Sequence, residues 1–127
     1  IPYIKNWEKI WKIRKKNIYE DVETFKYNKG NFLLEIGNKI KNKNKVQGQF
    51  IGLLYIPKKI RKKIIDIFEN KFKKKKIQTT QFLNYLTKNN FKIKCLEYKG
   101  EWYEIDDLND YKLFLKSNVF KRINQNN

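Results

Sequence analysis

The chain has 127 residues and a formal net charge of +17. This length suits one compact domain that buries about two-thirds of its unfolded surface. It contains no histidine and a single cysteine, Cys95, which excludes an internal disulfide, zinc chemistry and histidine-based acid or base catalysis within this chain. No apolar run is long enough to span a bilayer and no signal-like stretch opens the chain, so we expect a cytoplasmic protein without a membrane partner.

The basic charge is an ambiguous signal. Lysine supplies 27 of the 30 basic residues, and lysine, asparagine and isoleucine together supply 60 of the 127. Nucleic acid or an anionic membrane is the usual partner of such a charge, but bidentate contacts to phosphates and bases favour arginine. The compositional bias of an AT-rich genome explains the lysines better, so we do not expect nucleic acid as the partner. A basic nucleic-acid-binding module is kept as an alternative function.

The first half of the chain predicts a helix, a hairpin and a long strand. Asn6 is a candidate N-cap for a helix over 6–16, where apolar residues recur at helical spacing. Apolar runs at 22–27 and 31–36 flank turn-forming residues, which predicts a β-hairpin. A polar loop follows at 38–45, and 46–56 is the best strand candidate of the chain.

The second half predicts three helices and two further strands. Pro57 stands at the first position of a periodic helix that ends in the lysines of 73–76, and Thr79 or Thr80 caps the next helix, which ends near 89–90. Strands at 91–98 and 101–105 form a second hairpin, and a last helix covers 107–120. The alternation of strands and helices predicts an α/β fold, with 121–127 as a disordered tail.

Two spaced carboxylates stand at the end of the last predicted strand. In an extended strand, residues two apart point to one face, so Glu104 and Asp106 would project together with Trp102 on the same side. A hard cation such as Mg²⁺ prefers oxygen ligands and takes one or two carboxylates from a protein. The alternative is that Asp106 or Asp107 caps the following helix, and the two roles are compatible.

Six blocks of the sequence, in order, resemble the C-terminal half of nucleotidyltransferases. The family is that of the phosphocholine and phosphonate cytidylyltransferases, among the MobA-like NTP transferases. The blocks begin Trp-Glu-Lys-Ile-Trp, Glu-Asp-Val-Glu-Thr-Phe, Leu-Glu-Ile-Gly, Val-Gln-Gly-Gln-Phe, Thr-Thr-Gln-Phe-Leu and Trp-Tyr-Glu-Ile-Asp, and start at Trp7, Glu20, Leu34, Val46, Thr79 and Trp102, with Asp110 and Tyr111 after the last.

The resemblance implies a fold and an activity. The fold is the C-terminal part of a Rossmann-like nucleotidyltransferase, with a mixed sheet, a β-hairpin and flanking helices. Residues 1–120 would form the C-terminal half of one domain whose N-terminal nucleotide-binding half is absent, and a first residue other than Met agrees with a piece of a longer product. The activity is Mg²⁺-dependent transfer of a nucleotidyl group, CMP from CTP, to a small phosphorylated alcohol, phosphonate or sugar phosphate. This chain alone would be incomplete and inactive, and a catalytically inactive relative is a further alternative.

The resemblance also suggests roles for single residues. Asp106 matches the later metal-ligating aspartate of the family, and Glu104 would orient the metal shell or contact the acceptor. Gln49 and Glu23 could select the acceptor through hydrogen bonds, although Glu23 in a hairpin could equally face solvent. Trp11 and Trp102 could face an amine through cation–π attraction, whereas Trp11 at helical spacing is also typical of a core residue.

Overall fold

The computed structural model describes residues 1–14, 21–40 and 43–125. Its elements alternate between strands and helices, and the architecture is α/β with a mixed sheet and flanking helices, as predicted. In chain order they are β1 (Pro2–Ile4), α1 (Trp7–Arg14), β2 (Glu23–Tyr27), β3 (Leu33–Lys39), a 3₁₀ turn (Lys43–Lys45), β4 (Gln49–Phe50), α2 (Lys58–Phe72), α3 (Thr79–Lys88), β5 (Leu96–Glu97), α4 (Leu108–Lys116) and α5 (Asn118–Gln125).

The predicted hairpin is confirmed as β2 and β3, which pair antiparallel. The turn is organised by Asn28, whose Oδ1 accepts hydrogen bonds from the backbone N–H groups of Gly30 at 2.9 Å and Phe32 at 3.0 Å. Asn31 adopts a φ of 58°, which asparagine tolerates better than most residues. The side-chain amide thus satisfies two turn donors that the short loop leaves without a backbone partner.

The mixed sheet has the order β4-β1-β5. Its central strand is β1, which pairs antiparallel with β4 and parallel with β5. The three residues of β1 therefore join two distant segments of the chain. A strand this short has no periodicity from which its pairing could be predicted.

Helices α2 and α3 pack against each other through aromatic rings, and α3 also lies on β3. Phe72 of α2 contacts Phe82 and Tyr85 of α3, with ring centroids 5.6 and 5.0 Å apart. The lysines of α2 are exposed, and two of them lie beside this contact: Lys71 Nζ is 4.7 Å from the ring centroid of Tyr85, and Lys63 Nζ is 5.2 Å from that of Phe91. These contacts explain the apolar stripe of α2 and fix α3 beside the hairpin.

Two buried clusters form the core. The first lies between the hairpin, β1 and α3 and comprises Tyr3, Phe25, Leu33, Ile36, Leu83 and Cys95. The second lies between α1 and the hairpin and comprises Ile4, Trp7, Trp11, Val22 and Ile40. Cys95 is a packing residue, as predicted, and burial raises the pKa of its thiol to about 11.

The long strand predicted at 46–56 is wrong, because only Gln49–Phe50 is a strand. Gly52 has a φ of +81°, which turns the chain out of the extended path. The residues after it, Leu53 to Tyr55, are exposed. Pro57 precedes α2 as its N-cap instead of occupying its first position.

The second predicted hairpin is also wrong. Of 91–98, only Leu96–Glu97 forms a strand, which pairs with β1 and not with 101–105, where no strand forms. Long-range pairing with β1 takes the place of the local hairpin, so Glu104 and Asp106 follow an irregular segment and not a strand.

Two helix boundaries differ from the prediction. Helix α3 is capped by Gln78, which forms a reciprocal capping box with Gln81, so neither Thr79 nor Thr80 is the cap. The last helix is interrupted at Ser117, whose Oγ accepts a hydrogen bond from the N–H of Phe120 at 3.2 Å. The following α5 reaches Gln125, so 121–125 are helical where a disordered tail was expected, and 126–127 lie outside the described residues.

Among the described residues, every helix is too short or too polar to cross a lipid bilayer.

We expect Gly37→Ala to lower the free energy of unfolding by about 3 kcal/mol. Gly37 has a φ of +81°, and a Cβ there would lie 2.9 Å from the backbone carbonyl carbon of Thr80. The cost combines the left-handed backbone, about 1 to 2 kcal/mol, with overpacking of about 1 to 3 kcal/mol. Gly52→Ala is the matched control, because Gly52 has the same φ and open space around it. In urea unfolding, Gly52→Ala should show only the backbone cost. Equal losses of unfolding free energy in the two variants would contradict close packing of α3 on β3.

Candidate active site

Arg14, the last residue of α1, lies at the centre of a group of carboxylates. Its side chain is fully buried. Nη1 donates to Oε2 of Glu104 at 2.5 Å, and Nη2 donates to Oδ2 of Asp106 at 2.5 Å and to Oδ2 of Asp110 at 2.7 Å. Asp21 lies 3.9 Å from Nη1. We call these five side chains the carboxylate centre.

The start of α4 shapes the loop that carries two of these carboxylates. Asp107 is the N-cap, as one of the two sequence alternatives proposed, and its Oδ1 accepts from the N–H of Asp110 at 2.8 Å. Oδ2 of Asp110 in turn accepts from the backbone N–H of Asp106 at 3.2 Å. Asp110 therefore holds the backbone of Asp106 while Arg14 holds its side chain.

The charges of the centre do not balance. Burial lowers the pKa of Arg14, but its hydrogen bonds to Asp110 and Asp106 and the charge of Glu104 raise it above the ordinary value, so the guanidinium stays charged. Burial raises the pKa of Glu104, as does the neighbouring Asp106, while Arg14 opposes the shift. Among the side chains that the structure describes, one cation faces four carboxylates, and this excess of negative charge favours binding of a further cation.

Three of the carboxylates have the geometry of a metal site. Oxygen atoms of Asp21, Glu104 and Asp106 all lie within 4.8 Å of one another. Arg14 uses one oxygen each of Glu104 and Asp106, and a carboxylate has a second oxygen with further lone pairs. Asp21 and Asp106 are exposed, so an ion can reach them from solvent. This all-oxygen donor set fits a hard divalent cation such as Mg²⁺.

A cleft of about 710 Å³ opens beside the carboxylate centre. It brings together four of the six site residues predicted from sequence: Trp11, Glu23, Gln49 and Glu104. Its wall also includes Lys39, Asp21 and the start of α3 at Thr79 and Thr80. Asp106 and Trp102 are not part of the wall among the described residues. Trp102 stacks on Trp11 of the wall, and an oxygen of Asp106 lies within 4.8 Å of oxygens of Asp21 and Glu104.

Glu23 and Gln49 are tied together at one side of the cleft. Nε2 of Gln49 donates to the backbone oxygen of Glu23 at 3.0 Å. Burial raises the pKa of the Glu23 carboxyl, a hydrogen bond from Thr80 lowers it, and the charge of Asp21 raises it again, with a net upward shift. Glu23 faces the cleft and not bulk solvent, which makes it available to a bound molecule.

Trp11 and Trp102 stack on each other. Their ring centroids are 6.0 Å apart and the planes differ by 16°. Trp11 is only 3% exposed, and the guanidinium carbon of Arg14 lies 5.2 Å from its ring centroid. Trp11 thus belongs to the core and already has an internal cation beside it, while an amine contact by either ring stays a prediction.

No role was predicted from sequence for Arg14, Asp21 or Asp110. One signal could have revealed Arg14, since it is one of three arginines in a chain with 27 lysines. Where composition so strongly favours lysine, a retained arginine indicates that the planar fork of donors is needed. Asp21 and Asp110 carried no such local signal, because their grouping depends on the tertiary fold.

One curated protein has significant similarity to most of this chain. It is the CTP:phosphoglutamine cytidylyltransferase of Campylobacter jejuni, 29% identical over 117 residues. The similarity is to a cytidylyltransferase. It covers 86% of this chain and 46% of the relative, so the chain spans about half of that protein's length. No protein family model matches the sequence, and no solved structure matches it.

We expect Glu104→Gln to stabilise the protein at neutral pH. The raised pKa of Glu104 means that the folded state binds its proton more tightly than the unfolded state does. Stability is therefore lost as pH rises from the ordinary glutamate pKa through the raised one. The glutamine variant does not lose stability in this way. Its free energy of unfolding should therefore exceed that of the native protein only above the ordinary glutamate pKa. Chemical unfolding across that pH range checks this.

The matched control is Glu69→Gln. Glu69 is exposed and pairs with Lys73 at 2.9 Å on α2. Its replacement should change stability by less than about 0.5 kcal/mol. An advantage of Glu104→Gln that persists at low pH would contradict the electrostatic explanation.

Proposed function

We propose that this chain is part of a Mg²⁺-dependent nucleotidyltransferase that transfers CMP from CTP to a small phosphorylated alcohol, phosphonate or sugar phosphate. The observation that carries the proposal is the carboxylate centre at the edge of the cleft, with three oxygen donors within 4.8 Å. The similarity to a cytidylyltransferase over 86% of the chain supports the same activity. The name of that relative adds a phosphorylated glutamine to the acceptors worth testing.

The reaction needs positioning more than a reactive side chain. An acceptor phosphate or phosphonate oxygen attacks the α-phosphorus of CTP, the new P–O bond forms, and pyrophosphate leaves with the electrons of the broken bond. Such displacements depend on alignment and on neutralisation of charge, so a site without histidine or a covalent nucleophile suffices. Mg²⁺, when bound, would neutralise charge on the phosphates.

The residues of this chain have separate roles in the proposal. Asp21, Glu104 and Asp106 would hold the metal ion. Gln49 and Glu23 would orient the acceptor by hydrogen bonds within the cleft, and Lys39 adds positive charge to its wall. The paired Trp11 and Trp102 would close the cleft beside the carboxylates and exclude water.

We also propose that a second, N-terminal half of a Rossmann-like domain packs on this chain and supplies the nucleotide-phosphate loop. An apolar groove of about 340 Å³ lies between the β5 side of the mixed sheet and α2 and α3. Its rim includes Leu54, Tyr55 and Leu96, which are 42%, 81% and 58% exposed. Strands of two or three residues also leave backbone groups at the sheet edges for further pairing.

Leu96→Lys tests this packing. If the groove is covered in the protein expressed from its complete reading frame, burying the lysine should lower stability there by about 2 to 3 kcal/mol. In the 127-residue chain alone, the same change should cost less than about 0.5 kcal/mol. Leu108→Lys, at a position 67% exposed on α4, is the control and should be mild in both. A mild effect of Leu96→Lys in the complete protein would contradict the proposed packing.

Asp106→Asn tests the activity itself. With Mg²⁺, CTP and a panel of phosphorylated alcohols, phosphonates, sugars and glutamine, the complete protein should release pyrophosphate with one acceptor. We expect the variant to lose at least about 100-fold in turnover, since loss of even an outer partner of a metal costs about 10- to 100-fold. Its fold should persist, because the Asp106 side chain is 53% exposed.

Asp107→Asn is the control for this experiment. Asp107 is the neighbouring carboxylate and caps α4, and asparagine caps a helix about as well as aspartate. It should retain most of the activity. Near-normal turnover of Asp106→Asn at limiting Mg²⁺ would show that the metal assignment is wrong.

The alternative of polyanion binding has one observation in its favour. Ten of the nineteen residues in 58–76 are basic, and all ten are exposed on α2 and in the turn after it. RNA binding that ignores CTP and falls steeply with salt would support that alternative. Pyrophosphate release that requires CTP would support the transferase.

A further inference from the structure

We propose that Arg14 and Asp110 are positioning residues, a buried ion pair that holds Glu104 and Asp106 at the separation a divalent cation requires. Neither residue would touch the ion or the substrate. The inference rests on the proposed metal site, and it assigns a role to the two most buried members of the carboxylate centre.

The hydrogen bonds show how the pair acts. Oδ2 of Asp110 accepts both from Nη2 of Arg14 at 2.7 Å and from the backbone N–H of Asp106 at 3.2 Å. Nη2 also donates to the Asp106 side chain, and Nη1 to Glu104. One ion pair thus fixes the backbone and the carboxylate of Asp106 and the carboxylate of Glu104.

Burial separates these two residues from the ligands. The side chains of Arg14 and Asp110 are both 0% exposed, whereas those of Glu104 and Asp106 are 32% and 53% exposed. Asp110 is also absent from the group of oxygens within 4.8 Å of one another. Solvent ions reach the outer carboxylates, and the inner pair stays behind them.

Stability alone is a weak reason for such a pair. A buried ion pair is often no more stable than apolar side chains of similar volume, because desolvation offsets the attraction. Nε of Arg14 is also buried without a hydrogen-bond partner among the described residues, a further cost. What apolar side chains could not supply is the fork that sets the spacing of two carboxylates.

A counter-charge role makes the opposite prediction from a positioning role. If Arg14 only neutralised the centre, its removal would strengthen cation binding, because the net negative charge would grow. If it positions the ligands, its loss weakens binding. The double variant Arg14→Met/Asp110→Leu isolates positioning, because it removes one charge of each sign and leaves the net charge unchanged.

The experiment compares native protein and double variant, both from the complete reading frame, by Mn²⁺ binding in electron paramagnetic resonance. We expect the double variant to bind Mn²⁺ at least about 10-fold more weakly, the usual loss for an outer partner of a metal. Arg14→Lys keeps the charge without the fork and should also bind more weakly. Arg122→Met is the matched control, because Arg122 pairs with Glu101 at the surface, and it should bind like the native protein.

Amide hydrogen exchange without metal gives a second readout. The N–H of Asp106 should exchange faster in the double variant, since its acceptor is gone, while the helix amides of α3 keep their protection. If the double variant fails to fold, Arg14→Lys carries the comparison. Mn²⁺ binding within twofold of native, or unchanged exchange at Asp106, overturns the positioning role. If the native protein itself binds no Mn²⁺, the proposed function fails, and the exchange rates still decide whether the pair holds the loop.

Discussion

The buried guanidinium of Arg14 is the contact on which the site depends. The three carboxylates that accept its hydrogen bonds lie 90 to 96 residues away in the chain. Like charges brought this close repel one another, and removal from water adds to the cost. A cation fixed at the end of α1 offsets both effects, so α1, the loop after 101 and α4 can converge at one point.

The apolar core and the carboxylate centre both join α1 to the segment that carries Trp102 and Glu104. Trp11 and Arg14 are three residues apart and therefore lie on one face of α1. Trp102 and Glu104 are two residues apart in the segment opposite, and the first residue of each pair stacks while the second forms an ion pair. Two contacts of different physical kind thus align the segment on the helix. A shift of the segment along the helix that broke the ring stack would also break the ion pair.

Several local signals predicted the elements they control, although the cap of α3 at Gln78 was missed, and distant pairing decided the strands. The turn at Asn28, the aromatic stripe of α2 and the cap at Asp107 depend on near neighbours, and each could be predicted. Strands were expected at 46–56, 91–98 and 101–105, but the pairing of these segments depends on β1, whose three residues carry no periodicity. Glu104 and Asp106 were expected together because of a strand that does not form. They do meet, but through Arg14, so the grouping was right and its physical reason was not.

The charge of the site is opposite to that of the chain. The protein carries +17 overall, yet within the described part of the chain the carboxylate centre has one cation against four carboxylates. A triphosphate placed there without a metal would be repelled, so this part of the cleft is unsuited to direct binding of a polyanion. A divalent cation would remove most of that local negative charge and could neutralise phosphate oxygens at the same point. The surrounding lysines would then attract an anionic substrate toward the protein at long range. A local excess of negative charge within a basic protein therefore favours metal-assisted phosphate chemistry in the cleft over simple polyanion binding there.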